Sequence, residues 1–387
     1  MAFGDFTVDR NSTKYVLGSG GTIVPVATDE PAIEFNADGT YKGLLVEPAA
    51  TNYDTASSTV FGWSPLYTTK SYDQTTAPDG VASTADSVLE TAVTDNHFIY
   101  KDYTLAAGSY IFSCFVKSIG GRNFQLLTQE LGGGGSGGGT VQFNLSTGTV
   151  ASGTGTITEI GNDWYRVSGP AVTAGATGIR VIAYSINGTS SSFAGDITKG
   201  FYLWGAQVET GPIATSYIPT ASAAVTRVKD DITQTGAQSL IGQTEGTLYV
   251  EVDWRLETGA FQHILSANDG TANNRFVIYN NNSPVQLRMF AQANGGSPES
   301  DQGVDSTGFS GIQKIAFAYA DADFELYRNG SSVSSDTSGS LAALGTLTDI
   351  DLGQAYNASG HANMWIRAVA LYPKRLSDAE CQALTTL

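Results

Sequence analysis

A chain of 387 residues with a formal charge of −17, from 20 basic and 37 acidic side chains, lacks the basic footprint that nucleic-acid phosphates demand. Its 45 glycines and its low share of charged residues, 15%, suit turn-rich β modules better than helices. The length allows two or three domains, each with a core large enough to need no disulfide or metal staple, so no cofactor is expected. The acidic balance reads first as solubility. It also implies that a surface polymer would be gripped by hydrogen bonds and stacking, not by counter-charge. The opening MAFGDFTVDR carries two acids and no apolar core of signal-peptide length, so export by a cleaved leader is not expected. No apolar run approaches the roughly 18 residues of a membrane span, and membrane insertion is not expected either. Cys114 and Cys381 lie far apart and give no framework of bridges, as in a protein made in a reducing cytoplasm.

In residues 1–55, Lys14-Tyr15-Val16-Leu17 and residues 22–26 read as short strands turned by Gly18-Ser19-Gly20-Gly21. The run GLLVEPAATN at 43–52 reads as an apolar strand closed by an Asx turn at Asn52. From 56 to 222 strands recur at regular spacing. Tyr110, Phe112, Cys114 and Val116 alternate onto one face of a half-buried strand, and Val141 and Phe143 do the same. The glycine run at 132–139 has no following Lys-Ser or Lys-Thr for a phosphate cradle and reads as a hairpin tip between strands of one sheet. The turn at Gly161-Asn162-Asp163 leads into the aromatic strand Trp164-Tyr165-Arg166-Val167. Residues 201–204 alternate as a buried strand that Gly211-Pro212 stops, and Ile218-Pro219-Thr220 runs extended.

Residues 223–231 read as a linker, with Asp230-Asp231 a solvated charge pair. Residues 232–387 form another module, with strands at 247–254, 275–279 and 313–319 and an antiparallel return at 324–330 through the turn Asp321-Ala322-Asp323. Ser377 and Glu380 are spaced as a capping box, and Leu376 and Cys381 as its hydrophobic staple, so a short helix should end this stretch.

Several of these runs resemble bacteriophage tail proteins. YLWGAQVETGPIATSYIPTASAAVTR at 202–227 is similar to a "WGAQ-E-G" strand followed by "TSYIPT" and "TR". GLLVEPAATN, with Asp9-Arg10-Asn11-Ser12-Thr13 upstream, is similar to the "GLLVE-RTN" element of the same proteins, except that Ala50 stands where an arginine commonly precedes Thr-Asn. GNDWYRV at 161–167 and Ala77-Pro78-Asp79-Gly80 resemble a galactose-binding-like jelly roll. LYRNG at 326–330 and the ending through Tyr372-Pro373-Lys374 resemble a laminin G or concanavalin A-like sandwich.

The resemblance implies an all-β chain: a small N-terminal virion-attachment unit (1–55), a jelly-roll sandwich (56–222), a linker (223–231) and a laminin G/concanavalin A-like sandwich (232–387). It implies a tail-fibre or receptor-binding protein, assembled in the host cytoplasm and carried on the virion tail. Such a protein meets other virion proteins through the N-terminal unit, is a homotrimer, and binds host-surface glycan. Two other classes stay open, a tail depolymerase and a purely structural virion part.

Glu251, Asp253 and Glu257 resemble the carboxylate set of glucanases of the concanavalin A-like fold. Glu257, however, is four residues after Asp253, and the outer pair would lie on the order of 20 Å apart along an extended strand, against about 5 Å in a retaining enzyme. No enzymatic activity is expected. His97, His263 and His361 lack metal-ligand spacing, and calcium at Asp321 and Asp323 competes with a plain turn. What remains is sugar binding on loops with aromatic platforms and amides: Asn273, Asn274, Arg275 and Tyr279 from one stretch, Tyr356, Asn357 and His361 from another. For each of these residues the competing reading is a turn.

Overall fold

The computed structural model describes residues 5–175, 177–255 and 261–387, and it is all-β apart from one short helix, Asp378–Thr385. Two β-sandwiches follow one another. In the first, one sheet runs Thr149–Ser152, Gly139–Asn144, Asn123–Glu130, Ile179–Ile186, Thr94–Tyr103 and Ser192–Ala194. It faces a second sheet built around Gly108–Ile119 and Gly200–Thr210. Tyr110, Phe112, Cys114 and Val116 point into the shared core as their alternation predicts, with Phe124, Phe143, Phe201 and Leu203. The glycine run joins two paired strands, so it is the hairpin tip expected, and Ser136–Gly137 within it crosses to pair with Val172–Ala174 of the other sheet.

The strand expected to be half-buried is buried on both faces. Phe115, on its outer side, is fully covered and packs edge-on against Trp204 (5.5 Å) and Tyr217 (5.8 Å). The WGAQ glycine makes this possible. Gly205 has φ of 67°, a Cβ there would lie 2.5 Å from the Phe115 ring, and the pairing slips by a bulge opposite it.

The second sandwich draws on both ends of the chain. Six strands of residues 5–55 can be labelled: β1 (Thr7–Asp9), β2 (Lys14–Leu17), β3 (Ile23–Val26), β4 (Ile33–Phe35), β5 (Tyr41–Val46) and β6 (Ala50–Asn52). β1 pairs with Asp231–Gln234 at the edge of one sheet, while β5 pairs with Met364–Tyr372 and carries β4 at the edge of the other. The segment expected to be a unit of its own therefore supplies edge strands to the C-terminal sandwich. The reason lies in GLLV. Leu44 and Val46 enter the sandwich core, Leu45 packs with Trp365 and Val16 on the opposite face, and a run apolar on both faces must be covered on both. Gly43 (φ 152°) permits the approach, since a Cβ there would meet the Trp365 Cβ at 2.9 Å.

The β2–β3 hairpin is wedged between the sandwiches. Leu17 and Ile23 join Phe115, Trp164, Trp204 and Tyr217 of the first, and Val16 joins Leu45 and Trp365 of the second. The capping box and staple stand as expected, with Ser377 accepting from the Glu380 N–H and Cys381 packed on Leu376. Asp321 accepts from Ser340 and the Leu341 N–H, and Asp323 is held by Arg375, so both serve the turn and its surroundings.

Between the modules lies a knot of buried charge. Asp230, expected to be a solvated linker residue, is 1% exposed. It takes Arg10 at 3.0 Å and Lys14 at 2.6 Å, and it accepts the Glu47 N–H at 2.8 Å. Lys14 also reaches Glu47 at 3.1 Å, Arg227 approaches Glu47 at 3.4 Å, and Ser216 donates its N–H and its hydroxyl to the two Glu47 oxygens, each at 2.7 Å. Three cations and two carboxylates are thus shut away from water. An acid cannot stay charged there without partners, and the partners come from DRNST, GLLVE, TSYIPT and the TR segment. Ala50 lies opposite Arg227 in the pairing of β6 with Val225–Arg227, so an arginine from the other strand stands beside the position where one is missing. Asn52 makes its Asx turn to the Asp54 N–H and also binds Ala206, Val208 and Ile218.

Burial works to raise the Glu47 carboxyl, but Lys14, Arg227 and Ser216 outweigh it and hold it well below the usual carboxylate range. A depressed folded value means stability that is present above the unfolded carboxyl value and lost as the pH falls below it. Glu47→Gln leaves Lys14 and Arg227 short of a counter-charge, and should cost about 3–5 kcal/mol in urea denaturation at neutral pH. A loss under about 1 kcal/mol would mean that the knot is not held by its charges.

Candidate binding face on the C-terminal sandwich

One outer face of the second sandwich collects the two aromatic rings and the arginine that the sequence nominates, but not the amides. On Arg275–Asn282, Phe276 and Ile278 enter the core, which sends Arg275, Val277 and Tyr279 outward by strand alternation. Register places Tyr279 opposite His263 on one side and Arg288 on the other, and Val277 opposite Phe290. Arg275 comes to lie over two rings, Phe290 at 4.8 Å and Tyr356 at 5.4 Å. Beside it Phe261 stacks on Tyr279, with centroids 4.9 Å apart and planes 28° apart, and His263 is stacked 5.9 Å from the same ring. Phe261 is 38% exposed, so the top of this stack is open to solvent.

The platform is fixed from below. Asp301 accepts from the Tyr279 hydroxyl at 3.1 Å and from Arg288 Nε at 2.9 Å. Burial first, then Asp301, pushes the Tyr279 hydroxyl up to about 12, so it stays a donor at any physiological pH. The loop at 353–363 folds over the sheet and is anchored by backbone bonds from Gly353 to Ile264 (3.0 Å) and from the His263 N–H to Gly360 (2.9 Å). Gly360 is required there: its φ is 60°, and a Cβ would meet His263 Nδ1 at 2.5 Å.

The nominated residues divide. Arg275, Tyr279 and Tyr356 come together, and His361 lies close enough to influence the His263 imidazole. Asn274 does not join them. It is buried, donates to Asp269 at 2.7 Å, and accepts from the Asn294 and Gly345 N–H groups, so its amide is spent on loop structure. Asn273 is exposed, and its N–H donates to Thr271. Asn357 is exposed and accepts from Ser359 within its own turn. Phe261, His263 and Phe290 also belong to this face, and their local sequence does not mark them for it. A period of two was available at 261 and 263, but their facing of Tyr279 depends on a cross-strand register that no local pattern gives.

Several buried polar atoms on this face have no hydrogen-bond partner among the described residues: His263 Nδ1, His361 Nε2, Arg275 Nε and Gln292 Oε1. Chemically the face offers a cation, flat apolar surfaces and neutral donors and acceptors, and among the described residues no paired nucleophile and base. Of the carboxylates weighed for catalysis, Glu251 is held by Arg367 at 2.7 Å on the other sheet, and Glu257 lies outside the described residues.

No protein-family model and no curated protein matches the sequence. Among solved structures, the chain is similar to the Ruminococcus gnavus IT-sialidase CBM40, with 18% identity over 38% of this chain and 86% of that one and a TM-score of 0.32. It is also similar to a structure of botulinum neurotoxin type C, with 13% identity over 41% of this chain and 39% of that one and a TM-score of 0.33. A Trypanosoma rangeli sialidase is 12% identical over 78% of this chain and 60% of that one, with a TM-score of 0.33. At such scores the fold rests on the sheets of this chain and not on its neighbours.

Burial, and after it the Arg275 guanidinium, lowers the His263 imidazole to about 4 despite the opposing Gly360 carbonyl. The unfolded chain then binds this proton more readily than the folded one, so stability present above pH 6.5 is lost as the pH falls through 4. His361 is lowered in the same direction by its burial. Thermal melts between neutral pH and pH 4 should show this fall, and His263→Gln should flatten it. An unchanged pH profile in the variant would place the imidazole in water.

Proposed function

We propose that this chain is a carbohydrate-binding attachment protein of a bacteriophage tail, and that the outer face around Arg275 holds a sugar of the host surface. The observation that carries the binding reading is the Phe261–Tyr279 stack, open to solvent at Phe261, beside a ring-braced guanidinium. A pyranose presents an apolar ring face and a rim of hydroxyls, which match an aromatic platform and forked N–H donors. The tail assignment draws support from the WGAQ, TSYIPT and GLLVE resemblances. Under it the protein is assembled in the host cytoplasm and works as a homotrimer, three weak sites acting together. Residues 1–55 are largely engaged within the molecule, so docking to other virion proteins would fall to their exposed part, such as the turn around Asp38 and Tyr41.

Arg275→Ala and Tyr356→Ala should each weaken attachment to host cells about tenfold, as expected for the loss of roughly 1.4 kcal/mol of contact. Phe261→Ala, the most exposed of the set, should do so with its melting temperature nearly unchanged. If all three attach as well as the parent, the sugar is held elsewhere. Release of reducing ends from envelope polysaccharide would instead make the protein a depolymerase, and a monomer mass by light scattering at micromolar concentration would remove the autonomous trimer.

A further inference from the structure

The cleft between the two sandwiches brings together three cations, Arg166, Arg255 and Lys42, with Glu34 and Glu47 also in its lining. It contains a cavity of about 190 Å³ whose polar lining includes Arg166, Arg255 and the hydroxyls of Ser113, Thr156 and Thr158. A smaller adjoining cavity, about 50 Å³, shares Thr158, Arg166 and Arg255 and adds Lys42, Glu34, Glu47 and Trp365. Arg166 belongs to the first sandwich, on Trp164–Ser168. Arg255 follows Gly246–Trp254 of the second, and Lys42 is on β5. Arg255 and Lys42 both lie over the Trp365 ring, at 4.4 Å and 3.6 Å.

These cations are poorly matched by acids. Among the described residues none of the three has a carboxylate oxygen within ion-pair distance. Arg166 donates to Ser113 Oγ at 3.2 Å, and its Nε is buried without a partner. Arg255 reaches the Asn363 amide oxygen at 3.4 Å. The carboxyl groups that face Arg166 are Glu209, Glu47 and Glu34, and each is occupied: Glu209 accepts from Thr215, Glu47 from Ser216 and Lys14, and Glu34 from the Trp365 indole at 2.5 Å. Burial of the Arg166 guanidinium lowers its proton affinity most; Glu209 works against that, Arg255 lowers it again, and Glu47 and Glu34 raise it, so the acids act on it from a distance without pairing with it.

We propose that this cleft is a second binding site, which takes a carboxylate-bearing sugar unit with its carboxylate on Arg166 and Arg255. The lining is polarised in the required way. The two guanidiniums sit where the cavities join, whereas Pro170, Pro212 and Ile213 line only the larger one and offer an apolar wall to a ring. At ~30 Å³ per water the larger cavity has the volume of about six waters, which suits one sugar ring better than a chain. A bare inorganic anion would leave the apolar wall unused. Guanidinium pairs recognise a carboxylate through charge-assisted hydrogen bonds, and a partly closed cleft shields those from salt. The site is independent of the outer face, and its test keeps the two apart.

Titration calorimetry of the full chain with sodium glucuronate, glucose and inorganic phosphate, each at about 50 and 500 mM salt, reads the proposal directly. Glucuronate should bind at least about tenfold more tightly than glucose or phosphate. Arg255→Gln should abolish that preference, as should Arg166→Gln if it folds, while Arg275→Ala on the outer face leaves it intact. Equal binding of glucuronate and glucose, equal binding of phosphate and glucuronate, or an unchanged preference in Arg255→Gln would each overturn it. Loss of glucuronate binding in Arg275→Ala with retention in Arg255→Gln would move the acidic sugar to the outer face.

Discussion

Everything in this molecule turns on five charges that water does not reach. Arg10, Lys14 and Arg227 meet Glu47 and Asp230 where the N-terminal segment, the connector and both sandwiches converge. A buried ion network of this kind contributes little net stability compared with a well-packed apolar substitute, because the desolvation cost nearly offsets the attraction. Its value lies in discrimination. An arrangement of the modules that separates any one member leaves a bare charge in a dry place, so one relative placement of the two sandwiches is favoured over the others. The wedge of β2–β3 adds the apolar half of the same joint through Leu17, Ile23 and Val16.

That joint explains which parts of the chain were legible. Strand positions, the closing helix and the alternation of Tyr110, Phe112, Cys114 and Val116 follow from local pattern, because the side-chain period and the capping chemistry act over a few residues. Asp230 is buried where its local sequence predicts a solvated residue, and the reason is physical. An aspartate pair in a polar connector looks solvated, and its partners Arg10 and Lys14 stand 220 and 216 residues away. The resemblance to tail proteins located segments without saying why they belong together, and in the fold DRNST, GLLVE, TSYIPT and TR feed one knot. The continuous apolar run of GLLV was a local hint of two-sided burial, since a strand with one wet face alternates.

The outer face was partly readable for the same reason. Arg275, Tyr279 and Tyr356 stood out as an aromatic and cationic set within loops. Asn274 looked equally suitable but has all its bonding directed inward, and Phe261, His263 and Phe290 acquire their places only through cross-strand register. Residue type announces what a site needs. Register decides which copies of that type are delivered to it. The cleft was less accessible still, because Arg166, Arg255 and Lys42 come from three distant stretches, and the acidic composition of the whole argued against a cationic recess anywhere.

The pairing of β5 with Met364–Tyr372 has a consequence for the order in which the molecule is made. On a chain emerging from the ribosome, the jelly roll has all its strands in hand once residue 210 is out and can close by itself. The second sandwich cannot. Its strands β1, β4 and β5 are made before the jelly roll, yet β5 pairs with a strand made after it. Until residues 364–372 emerge, Leu44, Leu45 and Val46 have only β4 beside them, and an apolar strand with an open edge is an aggregation hazard. The neighbouring wedge suggests how the wait is spent: β2–β3 can dock through Leu17 and Ile23 on the finished jelly roll, and so hold β5 close to the place where its partner will arrive.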